Sequence, residues 1–77
     1  MISVSKDSLK MARTSLLMRQ KDLAHLAGVS PMTILRCEAG EPIQLLTAQA
    51  ILIALNKRRL EQELSPLELS DLDWKIV

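Results

Sequence analysis

Met32 and Thr33 stand four and three residues before Arg36, so on a helix all three side chains share one face. A guanidinium is planar and matches the paired O6 and N7 acceptors of a guanine edge; it serves a phosphate equally well. Met32 and the Thr33 methyl suit a thymine methyl, and the Ser30 or Thr33 hydroxyl suits a phosphate oxygen. A second polar group lies upstream at Arg19, Gln20 and Lys21. A helix opening at Gln20 offers free N–H groups and a partial positive charge, which attract phosphate. Arg19 and Lys21 add attraction that salt weakens. The alternative for this trio is an ordinary solvated helix start.

Catalytic chemistry has little to work with. His25 falls on the outward side of its helix, and Cys37 occupies an apolar helix position as a small core residue. The chain has one cysteine, which excludes an internal disulfide and a cysteine-based metal site. No glycine-rich phosphate cradle, nucleophile elbow or metal-spaced ligand set is present, so neither a metal nor a cofactor is expected.

The elements that must position these residues are two short helices and a tight turn. The spacing predicts one helix over Gln20–Ala27, ended by Gly28, which takes a left-handed conformation without steric cost. Ser30 caps the next helix, Pro31 fits its first turn, and Gly40 follows its end. Leu23, Ala27, Val29, Ile34 and Cys37 form the apolar junction, with Ala24 and Gly28 placed where the helices approach most closely.

Around this pair, Ser5 and Asp7 mark the start of a first helix from about Lys6 to Leu17. Glu41-Pro42 reads as a loop. A fourth helix starts near Thr47 and buries Ala48, Ile51, Leu52 and Leu55. Asn56 either ends that helix or lies within a longer one reaching about Leu64, stopped by Ser65-Pro66. Leu72, Trp74 and Ile76 then alternate with Asp71, Asp73 and Lys75, the pattern of a half-buried strand. Such a strand needs a partner, either Ile2–Val4 or the tail of a second copy. Otherwise the tail is extended, with Trp74 packed on the helices.

The sequence therefore predicts one all-α domain over residues 1–77, a small four- or five-helix bundle with a short C-terminal strand as an option. With one Trp and no Phe or Tyr, the core must come from aliphatic residues and methionine. Residues 1–40 carry six Lys/Arg against three Asp/Glu, while residues 41–77 carry four against six. The basic half coincides with the two short helices, although a solvated surface can produce so mild an asymmetry. No signal core or apolar run of spanning length appears, so no membrane is expected and the cytoplasm is the default location.

The stretch Gln20-x-x-Leu-Ala-x-x-Ala-Gly-Val-Ser30, continued by Thr33-Ile34, Glu38 and Gly40, is similar to one family. Roughly Leu9 to Leu55 resembles the helix-turn-helix domain of phage lambda-type repressors and Cro, the XRE family. The resemblance implies a compact bundle that binds duplex DNA sequence-specifically, commonly as a symmetric dimer. It places the Gln20 side chain at the DNA backbone and pairs Arg13 with Glu38 in a structural ion pair. The pattern departs in four places. Leu17 stands where the first turn often carries Gly, and Arg19 replaces a Ser, Thr or Asn cap. Pro31 and Met32 stand where relatives often carry Gln, and the loop Glu41-Pro42-Ile43-Gln44 lacks a base. Fewer phosphate contacts mean a shallower salt slope.

The expectation is a DNA-binding transcriptional regulator of repressor type. It reads the major groove with residues 31–38 and pairs with a second copy through the extension 56–77. The competing expectation is a protein-interaction adaptor or antitoxin on the same scaffold, using the apolar Met32 and Leu35 face.

Overall fold

The computed structural model describes residues 7–77 and contains four α-helices among them. They are α1 (Leu9–Thr14), α2 (Gln20–Ala27), α3 (Pro31–Glu38) and α4 (Leu45–Glu61), followed by a 3-10 turn at Leu69–Asp71. The core is aliphatic. Leu16, Leu23, Ile34, Ile51, Leu55 and Leu72 are its largest fully buried side chains, drawn from the turn after α1, from α2, α3 and α4, and from the tail. Burial of such side chains contributes roughly 1.5–3 kcal/mol each and is the main force holding the short helices together.

The two central helices match the sequence reading to the residue. Ser30 caps α3 by accepting the Thr33 N–H at 3.2 Å, and Pro31 occupies the first turn. Leu23, Ala24, Ile34 and Cys37 are buried, with Ala27 and Val29 packed against them. Gly28 does something other than permit close approach. A β-carbon there would meet nothing within 4 Å, so the glycine is needed for its φ of 72°.

One motif ends all four helices. In each, a residue with positive φ follows the last turn, and two N–H groups fold back onto terminal carbonyls. The left-handed residues are Leu17, Gly28, Gly40 and Glu63, at φ of 59°, 72°, 87° and 59°. The longer back-bonds are Met18 N–H to Arg13 C=O (3.4 Å), Val29 to Ala24 (3.0 Å), Glu41 to Arg36 (3.1 Å) and Leu64 to Arg59 (2.8 Å). Glycine adopts this conformation freely, whereas an L side chain pays roughly 1–2 kcal/mol.

Leu17 is 92% exposed, so its side chain returns no packing energy for that strain. Leu17→Gly is therefore expected to stabilise the domain by about 0.5–1 kcal/mol, the relief of strain less the extra freedom of glycine in the unfolded chain. Thermal or urea unfolding checks this; a less stable variant would show that Leu17 makes a contact of value.

Several boundaries differ from expectation. The first helix begins at Leu9, not near Lys6, because Ser8 is the cap and accepts the Met11 N–H at 3.1 Å. Ser5 and Ile2–Val4 lie outside the described residues. Helix α4 begins before Thr47 and stops at Glu61, ahead of Ser65-Pro66, because Glu63 takes the left-handed position. Asn56 lies inside it. Its amide donates to the Leu67 carbonyl at 2.9 Å and accepts the Leu67 N–H at 2.7 Å, clamping the returning tail to α4.

The tail is extended without forming a regular strand; it makes two isolated parallel bridges, Asp7 with Leu72 and Ile43 with Ile76. Asp73 N–H bonds the Asp7 carbonyl at 3.0 Å, and Ile43 N–H bonds the Lys75 carbonyl at 2.8 Å. The tail thus stitches the entry to α1 to the loop before α4. Leu72 is buried, and Leu67, Leu69 and Trp74 pack on the core. The Trp74 indole donates to the Leu69 carbonyl at 3.0 Å. Of the apolar tail residues, Leu67, Leu69 and Trp74 are thus partly covered within the chain and Ile76 stays exposed.

Candidate nucleic-acid interface

The site is built on α3. Ile34 and Cys37 anchor its inner side, which leaves Pro31, Met32, Leu35 and Arg36 exposed on its outer side. Thr33 is half-buried. The Ser30 and Thr33 hydroxyls lie 3.0 Å apart, so each is partly occupied by the cap of the helix they open. The Arg36 side chain makes no hydrogen bond or ion pair among the described residues, and its guanidinium is exposed. Met32, Thr33 and Arg36 lie together on one side of α3, with Met32 and Arg36 exposed and Thr33 half-buried between them.

A buried polar cluster fixes α3 in place. Arg13 donates from Nε to Glu38 Oε2 at 2.6 Å and from Nη2 to Oε1 at 3.1 Å, a two-pronged pairing. Their side chains are only 9% and 6% exposed. The remaining Arg13 nitrogen donates to the Met18 carbonyl at 2.8 Å, tying the turn after α1 to the same point. The pair expected between Arg13 and Glu38 is present, and it joins α1 to the end of α3.

Gln20 joins this cluster. Its Nε2 donates to Glu38 Oε1 at 3.0 Å, so its side chain lies half-buried across the start of α2. Sequence reasoning did not find this link, because nothing in the spacing says that Glu38 has a free acceptor for it. Arg19 and Asp22 form an exposed pair at 3.0 Å, and the Asp22 carboxylate also accepts the Arg19 N–H at 3.0 Å. The hydrogen bonds from Arg19 hold the Asp22 carboxyl below its ordinary range. A carboxylate at the helix start favours the helix but competes with an incoming phosphate there. Lys21 is exposed.

Two clefts flank α3 and add residues the sequence reading passed over. Thr33 and Arg36 face Pro42, Gln44 and Thr47 across the first. Gln44 is the residue before α4 and makes no side-chain cap bond, so the first N–H groups of a long helix open beside Arg36. Lys10 lines the second cleft with Gln20, Leu35 and Ala39. The signals were available: a helix start after Glu41-Pro42, and a lysine one turn before Arg13.

His25 lies exposed on α2, as expected. Cys37 is buried, and burial, reinforced by Glu38 and Asp73, pushes its thiol from 9.0 up to about 11. The folded protein therefore keeps its proton where the unfolded chain has lost it. Between pH about 9 and 11 the unfolded state binds fewer protons, so stability falls as pH rises. Denaturation across that window should show the fall, reduced in Cys37→Ala; an identical slope in the variant would remove Cys37 as its cause. Among the described residues no group of three or more His, Cys, Asp or Glu side chains is placed to hold a metal ion. No helix among them is long and apolar enough to cross a membrane.

A family model described as helix-turn-helix matches residues 9–62, a span from the first residue of α1 to just past the end of α4. No curated protein and no solved structure gives a significant match to the chain. With two short helices crossing through a glycine turn and a capped second helix turned outward, the chain belongs to the helix-turn-helix family of the lambda repressor and Cro type.

Proposed function

We propose that this protein is a transcriptional regulator that binds duplex DNA sequence-specifically and acts as a repressor, with α3 in the major groove. The observation that carries the reading is the outer side of α3, where the exposed Met32 and Arg36 side chains stand beside half-buried Thr33. In this reading Arg36 bonds a guanine edge. Met32 and Thr33 make apolar contact with thymine methyls, while Pro31 fixes the depth of entry. Lys10, Arg19 and Lys21, together with the N–H groups at the start of α2, hold the DNA backbone. Ser30 and Thr33 contribute through whatever hydroxyl capacity the α3 cap leaves free. Gln20 acts mainly by bracing Glu38, and so sets how far α2 stands from the backbone.

A single reading helix spans few base pairs, so two copies on half-sites about 34 Å apart supply useful specificity. The protein partner in this reading is a second copy of the chain. Electrophoretic mobility shifts over a range of salt test the function. The expected result is retention of duplex DNA at low salt, lost log-linearly as salt rises, with a slope equivalent to about three or four phosphates per copy. Retention that ignores salt, or none at low salt, overturns the reading and favours a protein-interaction adaptor.

A further inference from the structure

We propose that the outward face of α4 is the surface through which two copies of this chain pair, with their α4 helices antiparallel. This deepens the reading above, which calls for two copies without saying where they meet. Helix α4 buries Ala48, Ile51, Ala54 and Leu55 toward the core. Leu46, Ile53 and Leu60 repeat every seven residues on the opposite side, and they are 78%, 69% and 73% exposed. A helix apolar on both sides needs a second cover. The tail does not provide it, since Leu67, Leu69, Leu72 and Trp74 all pack on the core instead.

The stripe is its own complement. Leu46 and Leu60 lie seven residues to either side of Ile53. A two-fold axis through Ile53 therefore sets Ile53 against its mate and Leu46 of each copy against Leu60 of the other. Ala50, one turn before Ile53, is small enough to let the helices cross closely. Charge selects the antiparallel arrangement. No charged residue occurs from Leu45 to Asn56, and then Lys57, Arg58 and Arg59 come in succession. A parallel pair would bring the two basic clusters side by side. An antiparallel pair sets each against the uncharged half of its partner, with the Lys57 positions about 12 Å and the Arg59 positions about 18 Å apart along the axis.

The area sets the strength. A helix of 17 residues is about 25 Å long, and one face of it offers about 250–300 Å². A stable interface uses about 800 Å² per partner, so the stripe supports a reversible dimer that forms with concentration.

Sedimentation equilibrium on the whole chain tests this. The apparent mass is expected to rise with concentration toward twice that of the chain, and Ile53→Glu, at an exposed position, is expected to hold it at the monomer with an unchanged fold by circular dichroism. In a Cys37→Ala background, Ile53→Cys is expected to cross-link to itself on mild oxidation. Leu46→Cys is expected to cross-link only when mixed with Leu60→Cys. A monomer at every concentration up to about 1 mM overturns the proposal. So does Leu46→Cys linking to itself as readily as Ile53→Cys. The outcomes separate from those for DNA: a strict monomer that still retains duplex removes this interface alone, and an Ile53-dependent dimer that never retains duplex removes only the DNA reading.

Discussion

Glu38→Ala is expected to remove more than half of the protein's stability. It leaves the Arg13 guanidinium with only the Met18 carbonyl as a partner, in a site where its side chain is 9% exposed. Removing one member of a buried pair costs about 3–5 kcal/mol, and a domain this small has a total stability near the lower end of about 5–15 kcal/mol. The melting temperature should fall by at least about 12 °C, since each kcal/mol shifts it by about 4–8 °C in domains of this size. Replacing both partners separates the loss of a pair from the stranding of a charge. Arg13→Met with Glu38→Leu fills the space without charge and is expected to recover most of the stability. A melting temperature for Glu38→Ala within a few degrees of the parent would show that water reaches Arg13 and that the cluster does not hold α3 in place.

Arg36→Ala is expected to leave the fold intact and weaken binding to a preferred DNA site by about 5- to 150-fold, or about 1–3 kcal/mol. Its side chain is exposed and makes no hydrogen bond or ion pair among the described residues, so truncation strands no polar partner. The two possible roles of the guanidinium give different results. A base-edge contact makes the loss greatest on the preferred sequence and small on random duplex. A phosphate contact weakens both equally and reduces the salt slope by about one. Equal affinity on every duplex for parent and variant would remove Arg36 from the interface.

How much of this was legible in the sequence follows from where each cue resides. Helices α2 and α3 were readable because their ends are marked by residues that cannot easily do anything else: Gly28 and Gly40 at left-handed positions, and Ser30-Pro31 at the cap. Helices α1 and α4 end through the same motif, but Leu17 and Glu63 occupy its left-handed position. Side chains that tolerate strain carry no mark of it, so nothing in the sequence shows that α1 stops at Thr14 and α4 at Glu61. The Ser8 cap was hidden by Ser5, an equally good cap three residues earlier. Period-two alternation in the tail suggested a half-buried strand; the chain is extended there with Leu72 buried, but it pairs only through two isolated bridges. It could not say that Asp7 and Ile43 are the bonding partners, since a partner is a property of the packed structure.

The candidate site shows the same division. Met32, Thr33 and Arg36 share a face because helical geometry requires it. The bond from Gln20 to Glu38 depends on how α2 leans on α3, and no spacing encodes that lean. Asn56 reads as a helix end or as an interior residue from sequence alone. Only the returning chain reveals that its amide meets both polar groups of Leu67.

The central claim is that the outer side of α3 reads base sequence. Selection of bound duplexes from a random pool, run in parallel for the parent and Arg36→Ala, tests it most directly. The account predicts an enriched motif with two-fold symmetry for the parent, and loss or change of preference at one position of each half-site for the variant. A pool that stays random at low salt, or the same motif from both proteins, would contradict it.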